Sequence, residues 1–452
     1  MSMDAKLFHA TLRPAELLIT GAHVLDPRTG IDERADVLVR GGRIAEVGAP
    51  GTLSASKATS VNGAGKHLFP AFTDPHVHLR TPGQEYKENV ATGTAAAAAG
   101  GFCQVIAMPN TSPVLDQVSV LQALIATARE QALVPTGFLA SITVGLEGQD
   151  LTEMAALSEA GALGFTDDGK PVASAGLLRR ALQYQRLAGG VITLHEEDPS
   201  LSGAGVMHEG TVSARLGVSG IPSVSESTMV ARDSALALFE DARVHFQHLS
   251  ARESVEALAA ARQAGARVSG EATPHHLTLT DEELLALDSR MKMNPPLRTE
   301  TDRQALIEGL RSGVIECIAT DHAPHARHEK EMPFELAPMG TTGLETAFAA
   351  VYTELVRPGL IGLGVIVQRL TAGGALYGLP VPRIAPGEPA NLTLIDLETQ
   401  WTVGAQGYVS RSENSCFHGR RLHGVVELTV AAGAVVYGGV EPKLRRLKEA
   451  GA

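Results

Sequence analysis

Cysteine is scarce in this chain: of 452 residues only Cys103, Cys317 and Cys416 carry a thiol, and no two of them form a CxxC pair. That spacing argues against a thiolate zinc site and offers no disulfide framework, so Cys103 and Cys317 read as small buried hydrophobes. Long apolar runs are missing as well. The N-terminus, MSMDAKLFHATLRPAELLIT, has no extended apolar core, and no uncharged run reaches membrane-spanning length. A cytoplasmic protein with no membrane partner is expected. Positive charge is in deficit: the formal net charge of -12 argues against nucleic acid or an anionic membrane surface as the main partner. An anionic substrate would have to be held by a few local cations. No GxGxxG follows the first strand of the central region, which disfavours a dinucleotide-binding sheet.

What is present is ordinary globular composition, 44% apolar and 19% charged, in a chain long enough for one large domain and a smaller one. Short strand-and-turn segments occupy both ends: AELLITGAHVLD, ADVLVRGG and RIAEVG before residue 68, then ANLTLIDL, WTVG and GVVELTVAAGAVVYGG after residue 385. Joined, they would hide edges that neither can hide alone, so one composite β domain is expected from residues 1–68 and 385–452. Between them, over residues 69–384, eight apolar runs alternate with alanine-rich stretches of helical spacing. The runs are LFPAFTDPHVH, FCQVIAMPN, TGFLASITV, ALGFTDDG, VITLHEED, RVHFQHLS, RVSGEATPHH and VIECIATDHAPH. This pattern predicts an α/β protein, a (β/α)8 barrel of the TIM type with a small composite β-sandwich domain.

In such a barrel the chemistry sits where strands end. The stretch LFPAFTDPHVHLR puts His76 and His78 on one face of a strand end, with Arg80 in register two residues on. Asn110 ends the second run, Asp167 and Asp168 follow the fourth, His195 ends the fifth, His248 the sixth, and Asp321 with His325 the eighth. A strand-end Asp often caps the next helix and a strand-end His is often a wall residue. Taken jointly, four histidines and two aspartates on one rim can hold two divalent ions with a carboxylate between them. Such a pair lowers the pKa of a shared water and polarises a carbonyl, which is the chemistry of hydrolysis. Alternation along the fourth strand leaves Asp167 and Asp168 both open as the shared ligand.

The motifs DPHVHLRTPGQEYKE, MPNTSP, FTDDGKP, HEED, HLS, KMNPPLR and ATDHAPH, in that order, resemble the amidohydrolase superfamily and within it the bacterial class I dihydroorotases. The likeness runs from about Asp74 to Glu345, and the flanking β segments resemble that family's sandwich domain. It implies His76, His78 and Asp321 on one metal, His195 and His248 on the other, and Asp168 bridging. It further implies Arg80 and Asn110 on the substrate carboxylate with His325 assisting, Asn294 on the ring, and Met339 and Gly340 meeting the pyrimidine edge by backbone. Asp321 would be general base and acid, acting with a metal-bridging hydroxide. The implied cofactor is zinc, two ions per subunit. The implied reaction interconverts N-carbamoyl-L-aspartate with L-dihydroorotate and water, the ring-closing step of pyrimidine biosynthesis.

Related hydantoinases and allantoinases, the alternative enzymes, are expected to carry a carboxylated lysine where this chain has Thr166, Asp167 and Asp168. A non-catalytic scaffold relative is expected to lose metal ligands, and this chain keeps each mapped position. The resemblance gives the tandem His275 and His276 a supporting role rather than a metal, and assigns none to His208. A homo-oligomer, a complex with aspartate transcarbamoylase, and the choice between lid and solvated loop for residues 326–338 all stay open on sequence alone.

Overall fold

The computed structural model describes residues 6–438. Each of the eight apolar runs supplies one barrel strand, the first only from Phe72 on: β1 (Phe72–Val77), β2 (Phe102–Ala107), β3 (Thr136–Ala140), β4 (Gly164–Phe165), β5 (Ile192–Leu194), β6 (Val244–Phe246), β7 (Val268–Ala272) and β8 (Cys317–Ile318). They pair in parallel and in chain order. The ring closes where His78 N donates to His322 O at 2.9 Å. Helices cover the outer face, so a strand such as FCQVIA is buried along its whole length and shows no alternation. The covering helices include Val90–Ala99, Val118–Gln131, Ala175–Ala188, Val224–Glu240, Arg252–Gln263 and Glu300–Ser312.

Local chemistry explains where these helices begin and how close they lie. Val90–Ala99 starts at a capping box in which the Asn89 side chain accepts from Thr92 N. Its alanine run leaves room for a second layer to approach: Thr429 Oγ1 donates to Ala98 O at 2.7 Å from the strand Arg421–Ala431. Ala175–Ala188 is capped by Ser174 and buries Leu177, Leu178, Ala181, Leu182 and Gln185, one stripe at helical spacing.

The two chain ends do build one sheet. Its N-terminal strands include Leu17–Asp26, Ile31–Arg40, Arg43–Gly48 and His67–Pro70, and its C-terminal strands are Leu392–Thr402, Arg421–Ala431 and Ala434–Gly438. The halves join where His67–Pro70 runs antiparallel to Leu392–Thr402, with Leu68 opposite Leu394. Ala15 N donates to Gly433 O and Ala390 N to Gly42 O, folding one arm onto the other around a shared core of Ile19, Val37, Ile44, Leu68, Leu392 and Leu428. Residues 1–5 and 439–452, the outer parts of the expected sandwich segments, lie outside the described residues.

Two details differ from the sequence pattern. LTLIDL and WTVG, expected as separate strands, share one strand, interrupted where Asp396 Oδ1 accepts from Glu398 N and Thr399 N. A small parallel pair, Met207–His208 with Gly220–Ile221, stands apart from the barrel between β5 and β6.

Phe348 couples barrel and sheet. Its ring lies 5.7 Å from Phe69 of the sheet and 5.6 Å from Phe72 of β1, and all three side chains are buried. Phe348→Ala is expected to cost about 3–5 kcal/mol, read as a lower denaturation midpoint by circular dichroism. An unchanged midpoint would show that the two layers do not depend on this ring.

Candidate active site

The residues anticipated at the strand ends meet at one rim. His76 lies in β1 and His78 just beyond it, while Asp168, His195, His248 and Asp321 follow β4, β5, β6 and β8. All six are buried. Three of the site residues, Arg80 (φ 56°), His248 (φ 33°) and Asp321 (φ 46°), occupy the left-handed region without being glycine. Each such residue costs roughly 1–3 kcal/mol and persists where its surroundings over-determine it.

Hydrogen-bond chemistry fixes which ring nitrogens face the site. The Nδ1 of His76 lies 2.7 Å from Glu271 Oε1. An ionised carboxylate only accepts, so this nitrogen carries a proton and Nε2 is the one left to take a metal ion or a second proton. At His78, Asn110 Nδ2 donates to Asp168 Oδ2 at 3.1 Å, which turns Asn110 Oδ1 toward His78 Nδ1 at 2.8 Å. That oxygen accepts, so Nδ1 again holds a proton and Nε2 points into the site. Both Nε2 atoms face carboxylate oxygens. His76 Nε2 lies 3.3 Å from Asp168 Oδ1 and 3.4 Å from Asp321 Oδ1, and His78 Nε2 lies 3.0 Å from Asp321 Oδ1 and 3.4 Å from Asp168 Oδ2. His248 Nε2 is 3.8 Å from Asp168 Oδ1 and 2.9 Å from His195 Nδ1.

Lone pairs opposed to carboxylates out of water repel unless a cation sits between them. Burial works against charging His76, yet Asp168, Asp321 and Glu271 raise its pKa well above the usual value. Burial likewise opposes ionisation of Asp168 and Asp321, yet His76 and the other facing imidazoles hold both below the usual carboxylate range. The spacing suits a metal as well as a proton. Ligands about 2.0–2.1 Å from a tetrahedral zinc stand about 3.3–3.4 Å apart, close to the separations above. His76, His78 and Asp321 form one group able to hold an ion, and His76, Asp168 and His248 another.

The neighbouring aspartate is committed elsewhere. Asp167 accepts from Ile142 N, Thr143 N and Thr143 Oγ1 and so ties down the loop after β3, whereas Asp168 faces the histidines. Alternation could not separate the two, because the choice depends on what β3 offers.

The other anticipated residues fall around this centre. Asn110 touches His78 and Asp168, and Asn294 Nδ2 lies 3.4 Å from His195 Nε2 while donating to Glu197. Arg80 is buried, with Nε donating to Pro324 O at 3.1 Å. His325 Nε2 donates to Met339 O at 2.8 Å, beside Gly340, where a Cβ would come within 3.0 Å of the same nitrogen. His276 is a wall residue, bonded to Thr273 Oγ1 and Pro295 O, and His208 Nδ1 accepts from Arg298.

Several participants had no local signal. Lys87 is buried, pairs with Glu329 at 2.9 Å and lies 3.5 Å from His325 Nδ1. Asn414 reaches in from the C-terminal segment, accepting from His325 N and donating to Ala323 O and Gly340 O. Glu271 stands inside the seventh run, where an acid among apolar residues was the one available cue. The segment 326–338 is fastened: Lys330 Nζ donates to Ser289 O, Lys292 O and Pro338 O, and Lys292 Nζ to Phe334 O and Glu335 O.

A family model described as dihydro-orotase-like matches residues 65–254. A dihydroorotase of Pelotomaculum thermopropionicum is 45% identical over 424 residues, covering 93% of this chain and 98% of its own. The chain belongs to the dihydroorotase family. A second dihydroorotase, from a Geobacillus species, is 45% identical over 412 residues, 91% of this chain and 96% of its own. Among solved structures, an L-hydantoinase (dihydropyrimidinase) from Arthrobacter aurescens superposes with a TM-score of 0.83 at 24% identity, covering 94% of this chain and 97% of that one. At that identity the likeness speaks for the shared barrel-and-sheet fold, which this dihydroorotase family member has over nearly its whole length. Among the described residues no helix is long and apolar enough to cross a membrane.

Proposed function

We propose that this dihydroorotase family member interconverts N-carbamoyl-L-aspartate and L-dihydroorotate plus water in pyrimidine biosynthesis. The observation that carries the reading is the convergence of the His76 and His78 Nε2 atoms on Asp168 and Asp321, a donor set that suits cations. His76, His78 and Asp321 would hold one zinc ion and His195 and His248 a second, with Asp168 between them. When bound, such ions acidify water and polarise the scissile carbonyl.

The chain's own groups carry the rest. In the hydrolytic direction a water oxygen bonds to the ring carbonyl carbon and the carbon–nitrogen bond breaks. Asp321 takes the water proton on its carboxylate and delivers it to the leaving ring nitrogen. Arg80 offers a planar fork to the substrate carboxylate and Asn110 a neutral donor beside it. His325, Met339 and Gly340, linked in one hydrogen-bonded group through Asn414, would meet the pyrimidine edge, and Asn294, next to His195, would contact the ring. A cytoplasmic setting is part of the reading, supported by three buried cysteines that are all free. Assembly as a homo-oligomer, or with aspartate transcarbamoylase, would add to this site without replacing any residue in it.

The deciding assay is dihydroorotate hydrolysis by the zinc-supplied chain, with a chelator-treated sample and one given aspartate transcarbamoylase alongside. Metal-dependent turnover is expected; absence of turnover in every sample would overturn the substrate assignment. Asp321→Asn should abolish turnover while leaving dihydroorotate binding largely intact, since it removes the proton carrier and keeps the shape; near-normal turnover would take Asp321 out of the mechanism. Arg80→Met should raise KM far more than it lowers kcat, and an unchanged KM would undo the carboxylate clamp.

A further inference from the structure

Glu271, in β7, is 1% exposed, and a carboxylate that deep in a barrel needs donors on both oxygens. It has them, and they belong to the metal-binding rim. Oε1 lies 2.7 Å from His76 Nδ1 and accepts from His248 N at 3.2 Å. Oε2 lies 3.1 Å from His245 Nε2, and His245 Nδ1 lies 2.8 Å from Ser269 Oγ. One carboxylate therefore touches a histidine from each of the two ligand groups, one through its ring and the other through its backbone. The second contact falls on His248, whose φ is 33°. We propose that Glu271 is a positioning residue shared by both metal ions: it sets the tautomer and aim of His76, holds the strained turn that presents His248, and is itself held from behind by His245 and Ser269. This rests on the metal reading above.

His245, Glu271 and Cys317 also lie close enough together to hold an ion of their own. Such an ion would compete with His76 and His248 for the same carboxylate. The hydrogen bonds at both oxygens favour the supporting role, and the two uses predict different ion counts.

The test uses the full chain, stripped of metal and titrated with cobalt(II), followed by visible absorption and by competition with a chelator. Glu271→Gln keeps the shape and removes the charge. Loss of such a partner behind a ligating histidine weakens metal binding by roughly 10- to 100-fold. The expected result is that loss, an altered cobalt spectrum, a circular dichroism spectrum like the parent's, and turnover that recovers when metal is raised. Glu271→Asp, which keeps the charge but withdraws it by one methylene, should also bind more weakly and decides the matter should Glu271→Gln fail to fold. Cys317→Ser should keep the parent's ion count and affinity. Parental affinity and spectrum in a folded Glu271 variant, or an ion lost in Cys317→Ser, would overturn the proposal. A parent chain that takes up no cobalt would overturn it together with the metal reading. Metal uptake that depends on Glu271 without dihydroorotate turnover would support it while removing the substrate reading alone.

Discussion

The site is organised by a demand for positive charge. Two imidazole Nε2 atoms and two carboxylates share a buried space with separations of 3.0 to 3.4 Å, which a proton or a metal ion between them satisfies. In water such groups would drift apart or be screened; at the closed end of a barrel they can do neither. The frame must hold them in register for the cation, proton or metal, that sits between them. This explains why the rim is so heavily tied: β1 is bonded across the closure to the residues after β8, Asp167 anchors the loop after β3, and Asn110 links His78 to Asp168. It also gives a reason for the left-handed backbone at His248 and Asp321, since strain is tolerated where neighbouring bonds leave no alternative.

How much of this could be read from the chain alone follows from the range of the interactions involved. The eight strands were legible because a barrel strand is covered on both faces and so appears as an unbroken apolar run. The rim positions were legible because a histidine or aspartate directly after such a run is at the rim by construction. Glu271, Lys87 and Asn414 were not, because their partners lie 195, 238 and 89 residues away and no local periodicity records such a pairing. The break at Asp396 misleads for the opposite reason. An aspartate bonding its own neighbours looks like a turn between two strands, and only the pairing with Arg421–Ala431 shows one strand continuing through it.

The composite sheet does more than close the chain ends. The segment after Leu392–Thr402 supplies Asn414, which binds the backbone on both sides of His325, and Ser410 and Ser412, which bond Glu88 and the Lys87 carbonyl. Residues that the sequence pattern assigns to a separate unit thus complete the mouth of the barrel. Lys330 and Lys292, both buried, act similarly on the segment 326–338, since five backbone carbonyls accept from them. Burial, together with the neighbouring Lys292, brings the Lys330 ammonium down to about 7, so the fastening is made by a group near its own titration point.

A chain of net charge -12 that is to hold an anion must concentrate cations at one place. Here they are Arg80 and Lys87, both buried and both on the loop after β1. His325 stands beside them but does not add to their charge. Burial, reinforced by Arg80, Lys330 and Lys87, pushes its pKa down to about 2, and the neutral ring donates from Nε2 to Met339 O. The positive potential at this side of the site therefore comes from an arginine that stays charged throughout the neutral range and from Lys87, which the Glu329 carboxylate stabilises at 2.9 Å. A histidine in that place would ordinarily make anion binding sensitive to pH near neutrality. Buried beside Arg80 and Lys87, this one is held neutral, and under the proposed function carboxylate recognition would be separated from the proton transfers at Asp321.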